Sequence, residues 1–262
     1  MTDWLALCRA AADDVRHVLA ELPTRADREP VVGAGKGGDE TTAIDAAAER
    51  AVLARFASVA DATIVSEEAG VSGTGRTHIV VDPIDGSLNA KRGIGFFSVS
   101  IAVADGPTMG DVEFGFVHDF GTGEEWTAVR GEGARLNGHP LDGDLPKERI
   151  EILAFEATRT ASIAEKATAV VDLAYRLRVM GSLALSLCHL AAGRVDAVCS
   201  LKPARAVDIA AAQLLVRERG LAIDLFESPP FAAAPLDVVG RSRVVAAGTP
   251  DLCRQLARAL SA

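Results

Sequence analysis

The residues best suited to chemistry are carboxylates grouped at the ends of apolar stretches. The most informative segment is Val80-Val81-Asp82-Pro83-Ile84-Asp85-Gly86-Ser87. An apolar strand is expected to end at Asp82, where Pro83 fixes φ and removes a backbone donor. Two carboxylates then converge within one tight turn, and Gly86 permits the close backbone approach that a phosphate-sized group needs. The same residue types also build an ordinary strand-to-loop turn, and this segment alone does not decide between the two. Upstream, Ile64-Val65-Ser66-Glu67-Glu68 is again a strand running into acids. In Asp39-Glu40-Thr41-Thr42-Ala43-Ile44-Asp45, Asp39 suits a helix N-cap, and acids in the first turns favour the helix dipole. Six residues span about 600° of helix, so Asp39 and Asp45 serve one site only if Asp39 lies at or before the helix start. Asp208, within Arg205-Ala206-Val207-Asp208-Ile209-Ala210, serves equally as an N-cap, yet it opens a very apolar helix.

Two like charges about 4 Å apart repel by about 4 kcal/mol at an effective dielectric near 20. Gathering Glu67, Asp82, Asp85 and Asp208 in one cleft therefore requires cations. Oxygen-only ligands without His or Cys suit Mg²⁺ or Mn²⁺ better than Zn²⁺. Such a site keeps water on its ions and completes its shell with phosphate oxygens, the setting for in-line displacement between two metals.

The chain that must position these acids has 262 residues, 49% of them hydrophobic and 24% charged. Its net charge of −9 disfavours non-specific binding to nucleic acid or anionic membranes. Cys8, Cys188, Cys199 and Cys253 form no CxxC pair, and no secretory h-region or spanning segment is recognised, so reduced thiols in a soluble cytoplasmic protein are expected.

Apolar residues Leu5, Cys8, Ala12, Val15 and Leu19 recur at helical spacing, and Pro23 closes that helix. The polar stretch from Arg25 to Gly38 reads as a loop, followed by a helix over about 40–57. Strands are expected at 63–66, 78–82, 96–103, 112–118 and 125–129, the last three forming an antiparallel meander turned by Gly121 and Gly123. Leu141–Glu148 is the best internal boundary, giving halves 1–145 and 146–262. Beyond it come strands near 152–155, 176–180 and 197–200 and helices near 162–173, 183–192 and 208–219. Gly220 suits the C′ position of the last of these. Thr249-Pro250 opens a terminal helix with an N-cap hydroxyl and Pro at N1. The mixture predicts a layered α/β protein, mixed α+β, of two halves.

The order Asp39-x5-Asp45, Ser66-Glu67-Glu68, Asp82-Pro-Ile-Asp-Gly-Ser87 and Val207-Asp208-Ile-Ala resembles the inositol monophosphatase family. Gly131-Glu-Gly-Ala-Arg-Leu-Asn-Gly138, Gly181-Ser182 and Gly193-Arg-Val-Asp-Ala197 match further landmarks, so the resemblance covers nearly the whole chain. It implies a layered αβαβα sandwich, usually a homodimer, that hydrolyses a small phosphomonoester with metal-activated water. By the same resemblance, Glu67, Asp82 and the Ile84 carbonyl hold a first Mg²⁺, and Asp82, Asp85 and Asp208 a second. Glu67 also bears on a third, looser ion, with Asp39 close to it; Mn²⁺ can substitute. Asp45 and the Ser87 hydroxyl orient and deprotonate the attacking water, the Gly86 and Ser87 amides receive the phosphate, and Gly181-Ser182 lines the sugar pocket.

Three departures stand out. Ser87 replaces a common Thr while keeping the hydroxyl, Ala90 replaces a common Phe, and Val207 replaces a common Trp. Arg-Ala-Val-Asp-Ile-Ala with Gly-Gly-Asp-Glu-Thr looks most like the archaeal-type members that combine inositol monophosphatase and fructose-1,6-bisphosphatase activity. Inositol-selective relatives tend to carry an acid ahead of the last metal ligand, where this chain offers Lys202 and Arg205. Those cations suit a second phosphate through charge-assisted bonds, or else they only solvate a loop. The expected substrate is a small sugar or cyclitol phosphate, inositol monophosphate and/or fructose 1,6-bisphosphate. The alternatives are a nucleotide 3′-phosphatase and a non-catalytic member that binds a phosphorylated ligand or a partner.

Overall fold

The computed structural model describes residues 2–36, 38, 40–143, 149–156, 159–227 and 230–261. Helix α1 (Trp4–Glu21) buries Cys8, Ala11, Ala12 and Val15, and the Asp3 carboxylate caps it by accepting the Ala6 N–H at 3.0 Å. The stretch expected to be loop contains a short helix α2 (Arg25–Arg28) and a strand β1 (Val31–Ala34). β1 pairs antiparallel with β2 (Glu40–Thr42), so the next helix, α3 (Ala43–Phe56), starts three residues later than its acidic composition suggests. Tertiary strand pairing here overrides helix propensity.

An eight-stranded sheet follows, built from β3 (Ala62–Ser66), β4 (Gly70–Gly73), β5 (Thr77–Asp85), β6 (Ser98–Ala104), β7 (Val112–Asp119), β8 (Glu125–Val129), β9 (Gly133–Leu136) and β10 (His139–Pro140). Between β5 and β6 runs the short helix α4 (Ser87–Arg92). The strand order is β10-β9-β8-β7-β6-β5-β3-β4, antiparallel throughout except for the parallel pair β3–β5. The second half comprises β11 (Ile150–Glu156), α5 (Thr160–Ala167), β12 (Ala174–Arg178), α6 (Leu183–Ala191), β13 (Ala197–Ser200), α7 (Ala206–Glu218), β14 (Ala222–Leu225), β15 (Val244–Ala247) and α8 (Pro250–Ser261). Its five strands lie in the order β12-β11-β13-β15-β14.

Strand alternation sorts the apolar residues into layers. Val99, Ile101 and Val103 of β6 pack with Ile79 and Val81 against α1 and α3, sharing a core with Val15, Val52 and Phe56. The opposite face, with Val80, Ala102, Val117 and Trp126, meets α6 and α7 in a central core that also contains Ala154, Val198 and Ala246 of the smaller sheet. The far face of that smaller sheet packs Leu153, Phe155 and Val245 against Cys253, Leu256 and Leu260 of α8. The result is helix, sheet, helix, sheet, helix, as the αβαβα expectation required. Close contact in the middle layer needs Gly115: a Cβ there would lie 2.6 Å from the Ala211 carbonyl oxygen of α7.

Several landmark segments turn out to do structural work. The Gly131 and Gly133 amides both donate to the Glu218 carboxylate at the end of α7, at 2.9 Å each. Asp196 accepts the Glu151 and Ile152 N–H groups at 2.9 Å each, tying the α6–β13 turn to β11. The expected boundary, 141–148, falls between the two sheets, and its residues 144–148 lie outside the described ones. Among the described residues no helix is long and apolar enough to cross a membrane, and all four cysteines are buried free thiols.

Candidate metal centre and active site

β5 does not stop at Asp82. It continues to Asp85, with Asp82 opposite Ser100 and Asp85 opposite Ser98, so three residue steps on β5 face two on β6. The extra residue is a β-bulge at Pro83-Ile84. Without it, positions three apart would point to opposite faces; with it, Asp82 and Asp85 share the face that looks toward α6 and α7. Gly86 then turns the chain into α4 at φ +91°, and a Cβ at that point would lie 3.1 Å from the carbonyl oxygens of Gly181 and Phe96. Only glycine suits this position.

Each acid is held by a local device. Asp82 Oδ1 accepts the Ile84 N–H across the bulge at 3.0 Å. Asp85 accepts the Ala184 N–H at 2.8 Å and the Ser182 hydroxyl, placing its charge at the N-terminus of α6, where the helix dipole is favourable. Asp45 and Asp208 are both third residues of their helices with a carboxylate turned back onto the N-cap residue. Asp45 Oδ2 accepts the Thr42 N–H at 3.2 Å and its hydroxyl at 2.5 Å, and Asp208 Oδ2 accepts the Arg205 N–H at 2.7 Å. Capping therefore engages Oδ2 of each carboxylate.

Glu67, Asp82 and Asp208 bring carboxylate oxygens within 4.8 Å of one another. Arg205 lies buried beside them, ion-paired to Glu67 and with Nε 3.8 Å from Asp208 Oδ1. Even so, burial raises the Glu67 carboxyl to about 8, with Asp208 adding to the rise and Arg205 opposing it. Burial likewise lifts Asp85 to about 7 against the Ser182 hydrogen bond, and Asp82 well above its usual range with help from Glu67 and Asp85. A cluster of buried and half-buried carboxylates this close together is one that a cation could neutralise. The donor set is oxygen only, and Asp45 Oδ1 is buried without a hydrogen-bond partner. The residues fit a hard divalent cation.

These acids line one cavity of about 280 Å³ together with Ile84, Gly86, Ser87, Gly181, Lys202 and Arg205. The Ser87 hydroxyl donates to the Ile84 carbonyl oxygen at 3.0 Å. Ser182 is buried as the cap of α6, accepting the Leu185 N–H at 3.2 Å while it donates to Asp85. Asp39 lies outside the described residues.

Three residues were not singled out from the sequence. Glu49 is buried on α3, one turn after Asp45. Its Oε1 accepts the Ser66 hydroxyl and the Glu68 and Ala69 N–H groups, the latter two at 3.1 and 2.9 Å, which fixes the turn carrying Glu67. Glu156 closes β11 and accepts the Gly181 N–H at 2.8 Å and the Ser186 hydroxyl at 2.6 Å. Lys91 reaches Asp45 from α4, with Nζ 3.5 Å from Oδ2. A charged residue at i+4 from a suspected site acid was the one available signal for Glu49; the other two contacts are long-range.

Fold and site together define a layered α/β protein with an oxygen-only carboxylate cluster, able to hold a metal ion, lining a cavity of about 280 Å³. More particularly, the chain belongs to the inositol monophosphatase family, whose sequence profile matches residues 4–262. It is 31% identical, over 98% of its length and 96% of the relative's, to the fructose-1,6-bisphosphatase/inositol-1-monophosphatase of Methanothermobacter thermautotrophicus. It is 34% identical, over 88% of its length and 90% of the relative's, to the Nus factor SuhB of Escherichia coli. A crystal structure of an inositol monophosphatase–fructose 1,6-bisphosphatase superposes with a TM-score of 0.86 at 26% identity, covering 98% of this chain and all of the other. The chain is thus a phosphatase of a metal-dependent, sugar-phosphate family.

Proposed function

We propose that this phosphatase hydrolyses a small sugar or cyclitol monoester, inositol monophosphate and/or fructose 1,6-bisphosphate, with Mg²⁺. The observation that carries the proposal is the meeting of Glu67, Asp82 and Asp208 oxygens within 4.8 Å, beside a bulge that aligns Asp82 with Asp85. Glu67, Asp82 and the Ile84 carbonyl would hold one ion, and Asp82, Asp85 and Asp208 another; Mn²⁺ would fit the same donors. A third ion near Glu67 and Asp39 rests on the family resemblance alone. When bound, the ions would neutralise the carboxylates, polarise the phosphoryl group and acidify a water. Asp45 Oδ1 is the base in reach of that water, and the Ser87 hydroxyl orients it. Water oxygen would join phosphorus as the bond to the sugar oxygen breaks, the water's proton passing to Asp45 and a proton from solvent converting the departing sugar oxygen to its alcohol.

The Gly86 and Ser87 amides would receive the phosphate, and Gly181, Lys202 and Arg205, which line the cavity, would meet the remainder of the substrate. Ser182, expected to line the sugar pocket, is instead buried with its hydroxyl committed to Asp85 and the Leu185 N–H, so its part is to hold Asp85. Arg205 would exchange its carboxylate partners for a second phosphate once ions neutralise Glu67 and Asp208. The sheet change between Pro140 and Ile150 supports reading 1–145 and 146–262 as two halves, with the metal set contributed by both. Exposed Val171, Tyr175 and Val179 around edge strand β12 support a homodimer, and free buried cysteines support a cytoplasmic location.

The test is phosphate release with and without Mg²⁺ from inositol 1-phosphate, fructose 1,6-bisphosphate and an adenosine 3′,5′-bisphosphate, using wild type and Asp82→Asn. Expected is Mg²⁺-dependent turnover of a sugar or cyclitol ester that Asp82→Asn lowers by about three decades, each worth about 1.4 kcal/mol. Preference for the nucleotide would overturn the substrate assignment. The alternative of a member that binds a phosphorylated ligand or a partner without hydrolysis is not favoured, since relatives include fructose-1,6-bisphosphatase/inositol-1-monophosphatases. Wild type and mutant equally inert on all three esters would favour it.

A further inference from the structure

We propose that Lys91 is a positioning residue, the built-in cation of the water-activating corner, which ties down one oxygen of Asp45 so that the other faces the reacting water. The proposal rests on the role given to Asp45 above. Lys91 lies on α4 four residues after Ser87, so both side chains project from the same face of that helix. Its Nζ is 3.5 Å from Asp45 Oδ2, the two side chains being 17% and 9% exposed, and both residues line the cavity. The same Oδ2 accepts the N–H and hydroxyl of Thr42. Two hydrogen bonds and the Lys91 ammonium all engage Oδ2 and leave Oδ1 as the oxygen available to a reactant, and among the described residues Oδ1 is buried without a hydrogen-bond partner. A carboxylate anchored this way cannot rotate to offer the wrong oxygen.

The helix that carries Lys91 is itself locked. Arg28 donates to the Ala90 carbonyl at 2.7 Å, and the Asn89 carboxamide donates to the Phe96 and Met180 carbonyls at 2.8 and 2.7 Å. Departure from the family's common Asn-Phe at Asn89-Ala90 keeps the clasping amide and drops only an aromatic group. Glu40 and Glu68 line the same cavity as Asp45, and Lys91 supplies a positive charge beside Asp45. A fixed ammonium offsets charge that would otherwise draw a further loosely held divalent ion.

The experiment uses the full chain as wild type, Lys91→Met and Lys91→Arg, with Lys91→Gln as a second neutral variant should the Met protein fail to fold. Steady-state kinetics use the phosphate ester the wild type turns over best, and Mn²⁺ binding without substrate is followed by the EPR signal of the free ion. The neutral variant should lose about tenfold or more in kcat with KM within about threefold, and Lys91→Arg should recover most of the rate. Its Mn²⁺ isotherm should gain one weak ion per chain that neither wild type nor Lys91→Arg binds. A raised KM at unchanged kcat would overturn the proposal, because Lys91 would then hold substrate. An unchanged kcat with an unchanged isotherm would overturn it too. Should the wild type itself be inert, the phosphatase reading falls and takes this role with it, whereas an active wild type beside unchanged Lys91 variants overturns the role alone.

Discussion

Asp45 and Asp208 occupy the same local position, third in a helix with a carboxylate folded back on its N-cap, yet their surroundings differ. Asp208 sits within 4 Å of the Arg205 guanidinium, which also pairs with Glu67, so its corner is built around balancing several acids. Asp45 meets a lysine from another element and keeps one buried oxygen without a partner. On the function proposed above, one capping device would serve two tasks: Asp208, clustered with Glu67 and Asp82, would help to hold a cation, and Asp45, ion-paired to Lys91, would act on the water.

That contrast can be broken most directly by removing each charge in turn. Asp45→Asn should lower kcat by about 10²–10⁴ with little change in the Mg²⁺ concentration that gives half-maximal rate, since general-base contributions fall in that range. Asp208→Asn should instead raise that Mg²⁺ concentration by at least about tenfold. Titrations of rate against Mg²⁺ for both variants check the pair, and identical profiles would erase the distinction.

The next effect is on the pH dependence of the metal-free protein. Glu67 is raised from 4.5 to about 8 by burial and Asp85 from 3.8 to about 7. The folded state therefore holds more protons than the unfolded state between roughly pH 4 and 8, and the slope of stability with pH is negative there. Their contribution is fully present below the unfolded values and is lost as pH climbs through the folded ones. In EDTA, melting temperatures of wild type and Glu67→Gln should lie close together at pH 5, with wild type falling below the variant by pH 8.5. Added Mg²⁺ should remove the gap. Curves that stay parallel would mean that Glu67 is ionised throughout. The smallest change expected is Ser87→Thr, which keeps the hydroxyl beside the Ile84 carbonyl and should alter kcat/KM by less than about threefold, about 0.7 kcal/mol.

Legibility in the sequence followed the range of the interactions. Caps and helix ends were readable because they involve neighbours in the chain. The Thr249 hydroxyl accepts the Leu252 N–H at 3.2 Å at the start of α8, and Gly220 takes φ +70° after α7. The inward stripe of β6 was readable from alternation. Strands β14 and β15 were not, since four residues, Ala-Ile-Asp-Leu in one and Val-Val-Ala-Ala in the other, are too few to show a period that separates strand from loop or helix. β2 was hidden for the opposite reason, its acidic and threonine residues resembling a helix start more than the partner of β1.

What the sequence by itself determined is the inventory of acids, their order, the glycine that Gly86 must be and the family to which that order points. Tertiary structure alone decided the rest. The Pro83-Ile84 bulge exists only against β6, and it is what turns Asp82 and Asp85 to one face. Arg205 meets Glu67 from 138 positions further along the chain, and Lys91 of α4 meets Asp45 of α3 only in the folded chain. Such pairings depend on how strands twist and helices dock, and neither composition nor spacing encodes that locally.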